Sequence, residues 1–183
     1  MSTTSAQFDS SIKKCKDIFV KKMHDYGSAW RILRTQSITD QLYIKAQRIR
    51  SIEQKGMQKI NEDVQSEYIG LVNYAIIGLI QLTLTEKDEL ELPAAKAEKL
   101  YDQFAKQAKE LMENKNHDYS EAWREMRISS LTDLILMKLM RTKQIEDNKG
   151  ISLISEGIDA NYLDILNYSV FALIRLDELN STN

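Results

Sequence analysis

The chain reads as an all-α protein, a helical bundle built by tandem duplication, and three features carry that reading. Helix breakers are scarce, with one proline and six glycines in 183 residues, against roughly 12% for the two in an average protein. Apolar residues recur at spacings of three and four, the period of an amphipathic helix. The two halves also repeat one another at a nearly constant offset. So few breakers exclude a turn-rich β-sandwich, a collagen-like repeat and a Pro/Ser linker protein. With 43% apolar and 28% charged residues, the chain is too apolar for intrinsic disorder.

The repeat is read directly. His24-Asp25-Tyr26 returns 93 residues later as His117-Asp118-Tyr119, and Ala29-Trp30-Arg31 as Ala122-Trp123-Arg124. Arg34, Ser37, Thr39-Asp40, Lys45 and Arg48 return as Arg127, Ser130, Thr132-Asp133, Lys138 and Arg141. After a one-residue insertion the offset is 94, and Lys55-Gly56, Glu62, Tyr68 and Asn73-Tyr74 match Lys149-Gly150, Glu156, Tyr162 and Asn167-Tyr168. Repeat one spans 1–84, an acidic linker 85–92, and repeat two 93–183. About three main helices per repeat bury a core poorly alone, so the repeats are expected to pack as a pseudo-two-fold dimer within one chain.

Each element follows from its residues. Ile12, Cys15, Phe19, Met23 and Tyr26 form the apolar line of a first helix, which Gly27 can end in a left-handed cap. A short segment, 28–34, carries Trp30. Ser37 with Asp40 makes a cap-like start for a second helix, whose apolar line is Ile38, Leu42, Ala46, Ile49 and Ile52. A third helix over about 62–84 is nearly all apolar in its second half, so it belongs at the centre. Pro93 suits the first turn of the next helix, where no N–H is needed. The second repeat gives helices at about 93–113, 132–148 and 155–179.

Charge narrows the function classes. The net charge of −2 offers no global basic field for nucleic acid or membrane. Residues 1–84 carry 12 Lys/Arg against 8 Asp/Glu and residues 85–183 carry 13 against 19, so the halves have opposite sign. One cysteine, Cys15, excludes an intramolecular disulfide and a Cys-cluster zinc site, and on an apolar face it suits a buried hydrophobe. The opening residues lack a basic-then-apolar signal pattern, and the most apolar stretch, 71–84, is too short and polar to span a bilayer. A cytoplasmic protein is expected, and a homodimer stays open.

Polar residues kept in both repeats are better site candidates than polar residues seen once. At about 100° per residue, Glu156, Asp164 and Asn167 share a face of the last helix, with Asp159 at its edge. Clustered carboxylates suit Mg²⁺ or Mn²⁺ completed by water and phosphates. The alternatives are dipole-favouring acids at the helix start for Glu156 and Asp159, and a buried ion pair for Asp164. Asn73 and Asn167 lie in apolar runs and must be satisfied, by a substrate, a helix end or a partner across the pseudo-two-fold. Lys45 with Arg48, and Lys138 with Arg141, are three apart and suit phosphate, or else ion pairs with third-helix acids. His117-Asp118, like His24-Asp25, offers a base, a metal ligand or a helix C-terminal cap. Trp30 and Trp123 suit core anchors over stacking platforms.

The pattern His-Asp-Tyr-Gly…Ala-Trp-Arg, Lys-x-x-Arg and Glu…Asp-x-x-Asn-Tyr resembles the nucleotide modification-associated domain one family, over roughly 20–80 and 113–175. That is an all-helical bacterial and phage family of unknown activity, and the resemblance implies a link to nucleotide or DNA-base metabolism. A looser similarity is to the all-α nucleoside triphosphate pyrophosphohydrolases of the MazG and dimeric dUTPase type, which hold Mg²⁺ on Glu-x-x-Glu and Glu-x-x-Asp pairs. Glu156-x-x-Asp159 fits the second pair, and Asp118-x-x-Glu121 approximates the first. In repeat one, Gly70 and Gln65 stand where repeat two has Asp164 and Asp159. One working site centred on repeat two is therefore expected, with Lys45, Arg48 or Asn73 lent across.

Two readings of function follow. One is a Mg²⁺-dependent enzyme that binds a nucleotide or modified nucleotide and cleaves it between the α and β phosphates. The other is a non-catalytic helical module that binds a nucleotide or a protein, its charges being ion pairs of Asp164 or Glu156 with Arg141 and of Glu62 with Arg48.

Overall fold

A computed structural model describes residues 3–56, 60–151 and 156–182. Among them lie six α-helices and two 3-10 turns, with no strand: α1 (Thr3–Tyr26), α2 (Thr35–Lys55), α3 (Ile60–Thr83), α4 (Ala94–Tyr119), α5 (Ile128–Asp147) and α6 (Ile158–Ser181). The 3-10 turns, Ala29–Ile32 and Ala122–Glu125, carry the two tryptophans.

The apolar third helices sit at the centre. α3 packs along α6, α2 covers α3, α5 covers α6, and α2 meets α5. On the opposite side α1 and α4 touch each other and both central helices. The result is three layers, the middle one provided by the two most apolar helices, which bury both flanks at once. Leu71, Val72, Ala75, Ile76 and Ile80 of α3 and Ile165, Leu166, Val170 and Ala172 of α6 are fully buried.

The repeats meet through two matching relays. Tyr162 of α6 reaches Thr39 of α2 at 2.7 Å, and Thr39 donates to Glu146 of α5 at 2.8 Å. The counterpart joins Tyr68 of α3 to Thr132 of α5 at 2.6 Å, and Thr132 donates to Glu53 of α2 at 2.8 Å. Each threonine has one proton and gives it to the carboxylate, so each tyrosine is the donor to the threonine. Both relays cross between repeats, and their members stand at the 93 and 94 offsets, as expected for a pseudo-two-fold.

Several boundaries differ from expectation. α2 starts at Thr35 with Arg34 as its extended N-cap and no side-chain cap bond, and the Ile38 N–H to Arg34 carbonyl bond (3.1 Å) closes its first turn. Ser37 and Asp40 therefore do not cap it. α4 continues to Tyr119, because nothing between Ala94 and the left-handed Ser120 interrupts it. Pro93 precedes α4 as its N-cap. Tyr26 belongs to no core line and is 71% exposed. α6 begins at Ile158, so Glu156 precedes it, while Ser155 lies outside the described residues. Gly27 does end α1 in the left-handed region, its N–H on the Met23 carbonyl at 2.9 Å. The acidic linker is docked: Ser28 donates to the Leu90 carbonyl and accepts from the Leu92 N–H, and Leu92 is buried.

Candidate functional site

Equivalent places in the two repeats hold two very different cavities. In repeat one, the C-terminal turns of α1, the Trp30 turn, α2 and α3 enclose about 740 Å³. Its apolar wall includes Phe19, Met23, Trp30, Ile69 and Ile77, with Tyr26 and Tyr74 beside them. Its polar wall holds Lys22, Lys45, Glu67 and Asn73, with Gly70 between them on α3. The corresponding cavity in repeat two, bounded by Met112, Lys115, Trp123, Asp164, Asn167 and Phe171, holds about 170 Å³.

Two side chains account for the difference. Phe171 stands at the place of Ile77 and stacks on Trp123, with centroids 4.2 Å apart and planes 5° from parallel. Asp164 stands at the place of Gly70 and is 5% exposed. One of its oxygens takes Lys115 Nζ at 2.8 Å, and the other takes Lys138 Nζ at 2.7 Å. A carboxylate in an apolar bundle needs such cations to offset its desolvation. Burial opposes the charge on Lys115, but its hydrogen bond to Asp164 and the field of Asp164, Tyr168 and Glu156 outweigh this and raise its pKa.

In repeat one the acid sits elsewhere. Glu67, whose counterpart is Asn161, accepts from Arg48 at 2.7 Å and lies 3.7 Å from Lys45. Lys45 also lies over the Tyr74 ring, 5.5 Å from its centroid. Beneath it α3 offers only a glycine: a Cβ at Gly70 would lie 3.1 Å from Lys45 Cδ and Cε. Lys22 forms no ion pair among the described residues. Its match to Lys115 was readable from the 93-residue offset, but α1 and α4 gave no sign before folding that their last turns face α3 and α6.

The sequence candidates distribute as follows. Lys45 and Asn73 line the large cavity, and Arg48 braces it through Glu67. Asn73 donates to the Cys15 carbonyl at 2.9 Å and accepts from Tyr101 of the other repeat at 2.8 Å, so its amide is already satisfied. Asn167 donates to the Ala108 carbonyl at 3.1 Å, while its carbonyl oxygen is buried without a partner. Lys138 pairs with Asp164, whereas Arg141 is exposed and is not the partner of that acid. Arg48 pairs with Glu67; the Glu62 side chain lies outside the described residues. His117 and His24 are exposed in the last turns of α4 and α1, each 3.2 Å from the neighbouring Asp118 or Asp25 carboxylate. Trp123 is a core anchor, and Trp30 packs beside Phe19 at 6.5 Å while facing the cavity edge. Both indole N–H groups are buried without a partner. Burial, chiefly, pushes the Cys15 thiol up to about 12, so it serves as an inert core residue.

The acids of α6 do not assemble into a cation cage. Glu156 and Asp159 are exposed, Glu156 lies before the helix, and both Asp164 oxygens are occupied by lysines. Glu121 is held by Arg124 at 2.7 Å. Among the described residues no group of three His, Cys, Asp or Glu side chains is placed to hold a metal ion. No described helix is long and apolar enough to cross a membrane.

The family model described as nucleotide modification associated domain 1 matches twice, over residues 22–82 and 115–176. Neither the curated proteins nor the solved structures gave a match.

Proposed function

The chain belongs to the nucleotide modification associated domain 1 family, whose domain it carries twice, and from that premise we propose that it is a nucleotide-binding helical protein with one open site, in repeat one. The observation that carries the reading is the cavity of about 740 Å³ lined by aromatic and aliphatic side chains together with lysines. That volume lies in the range of small-molecule sites, which are mostly apolar with a few placed polar groups. A base suits the aromatic rings of Trp30, Tyr26 and Tyr74, and a phosphate suits Lys22 and Lys45. The working site thus moves from repeat two, where the sequence pattern suggested it, to the repeat that lacks Asp164. The ion pairs of Asp164 and Glu67 favour binding over metal-assisted hydrolysis, since the acids that would hold a cation are engaged by protein cations.

The test is a thermal-shift and titration panel of deoxynucleoside mono-, di- and triphosphates, modified bases included, with and without Mg²⁺. A ligand that binds only the native state raises the melting temperature by mass action. At least one nucleotide is expected to do so and to change tryptophan fluorescence, and Trp30→Phe is expected to abolish the fluorescence change. No shift with any nucleotide would overturn the reading. Pyrophosphate release in the same samples would replace binding by hydrolysis as the activity.

A further inference from the structure

The two repeats hold the same anchor in two states. In repeat two the Asp164 carboxylate lies between Lys115 and Lys138, at 2.8 and 2.7 Å. In repeat one the equivalent lysines, Lys22 and Lys45, both line the large cavity, and the residue at the carboxylate's place is Gly70. We propose that Lys22 and Lys45, beside Gly70, form the subsite for a ligand phosphate, and that Asp164 is a built-in stand-in for that phosphate which closes the repeat-two site.

Three features support the assignment. A charge-assisted pair of lysines on one anion is already realised in this fold by Asp164, and the same two positions carry lysines that line the cavity in repeat one. Gly70 supplies no carboxylate to engage the lysines: Lys45 lies across it, with Cδ, Cε and Nζ 3.1 to 3.2 Å from where a Cβ would stand, and lines the cavity. Glu67, the acid nearest this subsite, is neutralised by Arg48 at 2.7 Å and lies farther from Lys45, at 3.7 Å, so it leaves Lys45 able to bind a second anion. The closure of repeat two is completed by Phe171, which fills against Trp123 the space that Ile77 leaves free. The inference rests on the nucleotide reading for the rest of the ligand, but not for the anion itself.

Inorganic pyrophosphate is the probe, at ionic strength matched with sodium chloride. It is expected to raise the melting temperature of the wild-type chain with a stoichiometry of one by calorimetry. Gly70→Asp reproduces the repeat-two carboxylate beneath Lys45. A Cβ there meets only the mobile end of the lysine, at 3.1 to 3.2 Å, so the variant folds with a small shift of that side chain. It is expected to melt higher without anion and to bind pyrophosphate at least about tenfold more weakly, a loss of roughly 1.4 kcal/mol. Gly70→Ala adds the Cβ without the charge and is expected to keep the binding. Asp164→Gly/Phe171→Ile, which restores the repeat-one residues at both closing positions, is expected to add a second pyrophosphate site. Undiminished pyrophosphate binding in Gly70→Asp overturns the subsite, and an unchanged stoichiometry in the folded double variant overturns the stand-in role. If pyrophosphate binds and is lost in Gly70→Asp while no nucleotide binds, the subsite stands and the nucleotide reading falls.

Discussion

Asn73 and Asn167 occupy the same position in their repeats and have different hydrogen-bond fates. Both donate to a carbonyl of the first helix of their own repeat, Cys15 in one and Ala108 in the other. The carbonyl of Asn73 accepts from Tyr101, but the residue equivalent to Tyr101 in the other repeat is Phe8, which has no hydroxyl. The Asn167 oxygen is accordingly buried and unpaired. A buried acceptor without a partner loses its solvation with no return. Phe8→Tyr is expected to place a hydroxyl on Asn167 and to stabilise the fold by about 1 kcal/mol. Urea denaturation checks it, and the gain should vanish in the Asn167→Leu background.

At the level of elements, the end of the first helix in each repeat is the informative place. α1 ends at Gly27 with φ +60°, a region glycine enters without strain. α4 ends at Ser120, which has φ 55° and ψ −162°. That combination belongs essentially to glycine, and a serine holding it costs on the order of 1–3 kcal/mol. Ser120→Gly is expected to stabilise the chain by about 1 kcal/mol, part of the relief being offset by the larger backbone entropy of glycine in the unfolded chain. The melting temperature should rise, and Gly27→Ser should lower it. The element boundaries were less legible than the elements. The backbone of Arg34 closed α2 three residues ahead of the cap-like Ser37, because a helix start needs a carbonyl in the right place before it needs a side chain.

For the whole molecule, the two Tyr–Thr–Glu relays bind repeat to repeat and make the fold sensitive to pH. Burial, chiefly, raises the Glu53 and Glu146 pKa values, against the hydrogen bonds from Thr132 and Thr39 that lower them. Asp133 adds to the rise at Glu53 and Arg50 opposes it; Asp40 and Asp147 add at Glu146 and Lys143 opposes. A carboxyl whose folded pKa exceeds its unfolded value holds more protons when folded. These two groups therefore favour the folded state as pH falls through the window above the ordinary glutamate value, and weaken it as pH rises through that window. Wild type is expected to lose more stability between mildly acidic and neutral pH than Glu53→Gln/Glu146→Gln, which keeps an acceptor for each threonine without the charge. Denaturant midpoints at the two pH values test this, and equal losses in both proteins would refute it.

The sequence by itself determined the all-helical fold, the duplication and the family. Helical periodicity, scarce breakers and repeated strings are local properties that need no knowledge of which faces meet. It also marked Lys45, Arg48, Lys138, Asp164 and both asparagines as polar residues of consequence. Only the tertiary structure decided what each one meets. A helical wheel placed Glu156, Asp164 and Asn167 together, but α6 begins after Glu156, and α4 brings Lys115 against Asp164 from 49 residues away in the chain. The absence of an acid at Gly70 read in the sequence as a lost site. In the folded chain the same absence lets the Lys45 side chain lie across α3 and line the large cavity, because room left by a missing side chain is taken up by whatever packs against it.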